Sequence, residues 1–265
     1  MLVALGVTPV LIEAPTWIPN GINPWLSEAL GGQRPEGFTG ADGLPLEQIA
    51  NAEPDLIVGI NSYGIGETYE QLSAIAPTVA WDEEQRQLPW QDQTRLIGQA
   101  LGKSAEADAL VSQTEATIAG FPADHPAVRG KSVLFAVGAY DGVLGIGVGD
   151  TSYNDLFTEM GMVVPDGFDP SVAENGLSFE QLDALQDLDI MIFQPTDQAE
   201  YDAFLGLRLA QTLPVVQKHG IVALLDPVDA GSTVIGIRKP TPLSIPWVFN
   251  RLGDRIEEAA VNSGA

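Results

Sequence analysis

Leu44-Pro45-Leu46-Glu47-Gln48-Ile49, followed by Asp55-Leu56-Ile57-Val58-Gly59, returns half a chain length later as Leu177-Ser178-Phe179-Glu180-Gln181-Leu182, followed by Asp189-Ile190-Met191-Ile192-Phe193. In each copy a short helical run leads into a bounded apolar run, the pattern of a parallel strand buried on both faces. Repetition at that spacing predicts two lobes of similar fold related by pseudo-symmetry. Working outward, Thr8–Ile12, Asp55–Ile60 and Thr78–Trp81 predict strands. Glu67–Ile75, with Tyr69, Leu72 and Ile75 at helical spacing, predicts a helix between the last two. This β-α-β-α order implies an α/β fold with largely parallel sheets.

The middle of the chain reads differently. Thr94–Leu101 predicts a helix that Gly102 stops, and Ser104 caps a second that runs to about Gly120. Ala107, Leu110, Val111, Thr114 and Ile118 follow the i, i+3, i+4, i+7 rule along it. At ~1.5 Å per residue it is roughly 25 Å long, a strut rather than a flexible linker. Pro122 and Pro126 follow, then a new strand at Ser132–Val137. The expected organisation is an N-terminal lobe over 1–102, a linking helix over 103–121 and a C-terminal lobe over 122–265, with Pro242–Ala259 as a last helix. A chain of 265 residues accommodates two lobes.

Charge narrows the partners. With 36 Asp+Glu against 12 Lys+Arg, the net charge is −24. Such a surface repels phosphate backbones, which argues against nucleic-acid binding, and disfavours docking on anionic lipid. The absence of cysteine excludes disulfides, thiolate metal sites and cysteine nucleophiles. Two histidines, His125 and His219, do not make a His-rich metal centre, and both read as solvated surface residues. No apolar run reaches the ~18–20 residues of a membrane span. The first residues, Met1–Val7, carry no basic n-region or cleavage site and read as the tail of a helix.

Most catalytic motifs fail on inspection. Gly98–Ser104 resembles a phosphate loop but is one residue short and lies between two helices, where the mechanism needs a preceding strand. Gly145-Ile146-Gly147-Val148-Gly149 lacks the dinucleotide spacing and reads as a hairpin turn. No Gly-x-Ser-x-Gly elbow occurs. A hard-cation site around Asp141 or Asp150 lacks calcium-loop spacing. What remains is aromatic. Trp17, Tyr63, Trp81, Tyr140 and Phe193 each follow or end a predicted strand, where open α/β sheets bind ligands. Together they predict a π-rich cleft between the lobes, with Arg238 holding an anionic edge of the ligand.

Six ordered pieces then carry a family resemblance: Ala4–Val10, Leu46–Ala50 with Glu53–Val58, Leu72–Val79, Gln93–Gly102, His125-Pro126 with Gly130–Val133, and Pro242–Trp247. In order over nearly the whole chain, they resemble the iron–siderophore class of ABC-transporter substrate-binding proteins. The resemblance implies two Rossmann-like lobes joined by one long helix. It implies an extracytoplasmic monomer, lipid-anchored or periplasmic, that captures a ferric siderophore, cobalamin or haem between the lobes. Such a protein has no cofactor and performs no chemistry; it delivers its ligand to an ABC permease. One glutamate on each lobe, in the Leu-x-[Leu/Phe]-Glu-Gln pattern, implies Glu47 and Glu180 as docking residues for permease arginines. The resemblance also implies that a strand, most of a helix and a signal segment precede Met1. Scarce basic residues near strand ends (Arg86, Arg208, Arg238 and Lys239) favour a hydroxamate or mixed-type chelate, or haem, over a triply anionic catecholate. The competing readings are a small α/β hydrolase or reductase, and a two-lobed protein used for adhesion or sensing.

Overall fold

Parallel strands need a crossover of a dozen or more residues, and the first half of the chain supplies two. Leu11–Glu13 (β1) pairs with Glu36–Phe38 (β2), and the connection carries helix α1, Pro24–Ala29. Helix α2, Leu46–Asn51, leads to Ile57–Val58 (β3), which pairs with Thr78–Val79 (β4) across helix α3, Ile65–Ile75. Both pairs are parallel. The structure is a computed structural model that describes all residues except 41–42, 61–64, 81–87, 150 and 265. Residues 1–114 with 241–244 form an N-terminal unit, and 115–240 with 245–265 a C-terminal unit.

Helices supply most of the fully buried apolar side chains of the N-terminal unit. Ile49 of α2 and Ile65 and Leu72 of α3 cluster with Leu11 and Ile57. Ile97 of α4, Trp90–Ala100, clusters with Ala107 of α5, Ser104–Asp124. Gly102 takes a left-handed φ of +67°, and the Lys103 N–H returns to the Gly98 carbonyl at 2.7 Å, closing α4 as a glycine C-cap does. Gly98 permits the sharp turn into α5, since a Cβ there would lie 2.3 Å from that of Ala107. Along α5 the predicted positions Ala107, Val111, Thr114 and Ile118 are buried. The helix continues through Pro122 to Asp124, and the two units divide within it.

The C-terminal unit is built on a five-stranded sheet. Its strands are Val133–Tyr140 (β5), Val143–Ile146 (β6), Leu177–Ser178 (β7), Ile190–Gln194 (β8) and Ile221–Ala223 (β9), in the order β7-β6-β5-β8-β9. β5, β8 and β9 run parallel, while β6 and β7 add an antiparallel edge. Asp141 and Gly142, both at positive φ, make the tight turn from β5 to β6. Asp141 thus serves a hairpin, and among the described residues no cluster of three His, Cys, Asp or Glu could hold a metal. The faces are covered by α6 (Ser152–Glu159), α7 (Val172–Asn175), α8 (Gln198–Gly206), α9 (Pro214–Gln217), α10 (Val234–Arg238) and α11 (Ser244–Ser263).

Two sequence expectations change here. Phe193 does not face a ligand: it is fully buried in β8, its ring 5.2 Å from Phe204 and 6.0 Å from Tyr201. A central strand covered on both faces buries every residue of its apolar run, and α8 closes over its end. His125 is half-buried, not solvated, with its ring 4.4 Å from Phe121. His219 is exposed at φ +57° beyond the end of α9.

Candidate functional site

A cavity of about 220 Å³ opens on the C-terminal unit, lined by Phe135, Val137, Gly147, Tyr153, Glu174 and Arg238, among others. Its shape begins with a defect in the sheet. The β5–β6 register shifts between Ala136 and Ala139, a β-bulge that bends the strand and re-aims its side chains. Gly138 occupies the bulge at φ +73°. Gly145 lets β6 approach it, since a Cβ there would lie 2.2 Å from the Val137 carbonyl oxygen. Glu200 holds the bulge: its carboxylate accepts from the Ala139 N–H and, at 3.1 Å, from the Thr196 N–H. Asp197 caps α8 by accepting from the Glu200 N–H at 2.9 Å. Val137 is left exposed at the cavity, and Tyr140 is 60% exposed at the strand end.

Tyr153 lines the cavity beside Phe135, and the sequence reading did not name it. Thr151 caps α6 by accepting from the Asn154 N–H at 3.2 Å, and Asn154 Nδ2 donates to the Gly149 carbonyl at 2.7 Å. These bonds set the first turn of α6 so that Tyr153 lies over the backbone of Gly147, 5.5 Å from the Phe135 ring. The signal in the sequence is a glycine-rich hairpin followed by a capped aromatic. Arg238, the last residue of α10, and Glu174 line the same cavity.

A family model described as periplasmic binding protein matches residues 13–227. The chain belongs to the periplasmic binding protein family. A periplasmic solute binding protein from Mycobacterium smegmatis is similar in structure at 28% identity, covering 98% of this chain and 88% of that one, with a TM-score of 0.82. PiaA of Streptococcus pneumoniae, solved in complex with ferrichrome, is 26% identical over 98% of this chain and 89% of its own, with a TM-score of 0.83. SirA of Staphylococcus aureus, complexed with staphyloferrin B, is 21% identical, covers 96% of this chain and 88% of its own with a TM-score of 0.68, and shares the fold. Among curated proteins none matches. No helix among the described residues is long and apolar enough to cross a membrane.

For a periplasmic binding protein, the sequence-predicted residues fall as follows. Arg238 lines the cavity; Tyr140 is on the same unit but outside the lining. Trp17 is on the N-terminal unit, 65% exposed beside the buried Ile18. Tyr63 and Trp81, and with them Arg86 and Asp150, lie outside the described residues. Glu47 stands exposed in the first turn of α2. Glu180 stands exposed in the first turn of a 3-10 helix, Phe179–Leu185, where the Ser178 hydroxyl accepts its N–H at 3.3 Å. The repeated hexapeptide therefore folds as an α-helical turn in one unit and as a strand plus 3-10 turn in the other.

Proposed function

We propose that this protein is a receptor that captures a ferric siderophore outside the cytoplasm and delivers it to an ABC permease, without catalysing a reaction. The observation that carries the reading is the similarity over nearly its whole length to PiaA, an iron-uptake substrate-binding protein solved with ferrichrome. The cavity chemistry agrees: aromatic and apolar side chains beside a charged pair suit a small-molecule site. Among the described residues of that lining Arg238 is the one cation, and Glu174 offsets its charge. A triply anionic catecholate would find no net attraction there, whereas a hydroxamate chelate needs only donors to its oxygens. The ligand class is therefore a ferric hydroxamate. Tyr140, Tyr153 and Arg238 serve it from the C-terminal unit, and Trp17, Tyr63 and Trp81 from the N-terminal unit. The protein acts as a monomer, either free in the periplasm or held at the cell surface by a lipid.

Titration with ferrichrome, ferric staphyloferrin B, a ferric catecholate and haem, followed by tryptophan quenching, tests the ligand. Ferrichrome is expected to bind tightest. Silence toward all four, with turnover of an ester or nicotinamide substrate, would replace the receptor reading with an enzyme. Glu47 and Glu180 are the permease contacts. Like charges juxtaposed at an interface cost several kcal/mol. Glu47→Arg and Glu180→Arg should each leave ferrichrome affinity intact and abolish uptake in cells; normal import by both would remove the docking role.

A further inference from the structure

Asp229 is a buried carboxylate that the ligand site does not use directly. It is 2% exposed, yet three donors converge on it. Arg251 Nε donates to Oδ1 at 2.9 Å and Arg255 Nη1 to Oδ2 at 2.7 Å, both from α11; Thr233 Oγ1 donates to Oδ1 at 3.0 Å. Arg251 also reaches Asp226 Oδ1 at 3.1 Å, and Arg255 the Ala223 carbonyl at the end of β9. A charge is buried in this way only when paired and hydrogen-bonded, so the cluster fixes the chain at Asp229 to the sheet end and to α11.

What Asp229 begins is unusual. Asp229–Thr233 is a π-helical turn that runs directly into α10, with the Val234 N–H reaching back to the Asp229 carbonyl. A π turn holds one residue more than an α turn and is found most often at functional sites. One inserted residue rotates everything after it by about 100° around the helix axis. The π turn therefore decides which way residue 238 points. The segment is held elsewhere as well: Gln194 Nε2, at the end of β8, donates to the Ala230 carbonyl at 3.2 Å. Ser232, Thr233, Val234 and Ile237 are buried, and α10 packs on α6, the helix that carries Tyr153. From a fixed root, a buried rod ends in the exposed Arg238 at the cavity.

We propose that Asp229 is a positioning residue for ligand binding: clamped between Arg251 and Arg255, it holds the π turn that aims Arg238 into the cavity. This rests on the reading of that cavity as part of the ligand site. Without the clamp, Arg238 keeps its charge but loses its fixed direction. The ligand must then order a mobile guanidinium, which erodes the advantage of preorganisation.

The test is a double-mutant cycle read by ferrichrome affinity, at a temperature where circular dichroism shows every variant folded. Arg238→Ala is expected to weaken binding at least tenfold, the worth of a charge-assisted hydrogen bond. Asp229→Asn should weaken it about three- to tenfold, and the double variant should match Arg238→Ala within about twofold, because residues acting through one contact are not additive. Thr233→Val, which removes one donor from the clamp, is the milder variant should Asp229→Asn fail to fold. Its expected loss of about three- to fivefold should vanish in the Arg238→Ala background. If Arg238→Ala weakens binding while the clamp variants bind within twofold of the parent, or if the losses multiply in the double variant, Asp229 is only structural. If Arg238→Ala itself binds normally, the reading of the cavity fails, and the positioning role with it.

Discussion

The two units reach an interior by different routes. In the N-terminal unit β3 and β4 are two residues long and half-buried, and the fully buried side chains come from helices in small clusters. In the C-terminal unit the central strands are themselves the core: Ile190, Met191, Ile192 and Phe193 of β8 are all fully buried, against Val133–Ala136 of β5. A sheet pinned from both faces is stiff enough to carry a bulge, a cavity and a π turn. Helices around short strand pairs form a more deformable body. The N-terminal unit should therefore unfold first.

The largest expected effect follows from that asymmetry. Phe193→Ala removes a ring from the middle of the larger core and should cost about 3–5 kcal/mol, whereas Leu72→Ala in α3, in a smaller cluster that can relax, should cost about 2–3 kcal/mol. Tryptophan separates them, because Trp17, Trp25, Trp81 and Trp90 lie in the N-terminal unit and Trp247 alone in the other. In urea, fluorescence should report an earlier transition than far-ultraviolet circular dichroism. Leu72→Ala should advance the fluorescence transition alone; Phe193→Ala should draw the later one toward it. Coincident transitions in the parent and in both variants would mean one cooperative unit and end the comparison.

The legibility of the two units in sequence follows the same physics. Helical spacing identified the buried face of α5 at Ala107, Val111, Thr114 and Ile118, and apolar runs identified β3, β5 and β8, because these patterns are set by neighbours in the chain. The exception within β8 is instructive. Phe193 ends a strand, but whether a strand-end ring meets solvent depends on α8, which covers it from later in the chain. The bulge at Gly138 is bonded to Glu200, and the carboxylate that opens the π turn to Arg251 and Arg255. Such partners, tens of residues away, leave no periodicity. The cavity is assembled from these long-range contacts, so position before Pro240 pointed to Arg238, whereas nothing local pointed to Tyr153, which lines the same cavity.

Acid should change the order in which the units fail. Burial raises the pKa of Asp229, but hydrogen bonds from Arg251, Arg255 and Thr233 outweigh it and hold the carboxyl below the usual range. Asp189 behaves alike: burial raises it, and the Ser132 N–H and Lys131 bring it down. A carboxylate with a lowered folded pKa stabilises fully above its unfolded value of about 3.9, and that stability is lost as pH falls through the folded value. Both groups are in the C-terminal unit, so its urea midpoint should fall faster than that of the N-terminal unit below about pH 4. Arg251 and Arg255 pair with Asp229, Arg251 also with Asp226, and the two arginines stay charged over this range. Asp229→Asn should be less stable at neutral pH and show a shallower acid slope. A C-terminal midpoint that falls no faster than the N-terminal one would deny the clamp its electrostatic role.

The smallest expected stability effect tests whether the stiffness of the C-terminal unit resides in its backbone. Gly145 and Gly147 are two residues apart at the same cavity, and both are crowded. A Cβ at Gly145 meets the Val137 carbonyl oxygen at 2.2 Å, so Gly145→Ala must push β6 away from the bulge. Strain of that kind costs about 1–3 kcal/mol. A Cβ at Gly147 meets only the far edge of the Tyr153 ring, at 2.4 Å, and a ring can swing aside. Gly147→Ala should then lie within about 0.5 kcal/mol of the parent in stability. Its cost should appear in binding, because the displaced Tyr153 ring leaves or fills the cavity, and ferrichrome affinity should change several-fold. Melts and titrations of the two variants side by side distinguish frame from site: Gly145→Ala shifts the melt, Gly147→Ala shifts the affinity. Should Gly147→Ala instead melt early and bind normally, Tyr153 is a structural ring holding Phe135, and the aromatic wall of the site must be sought at Tyr140.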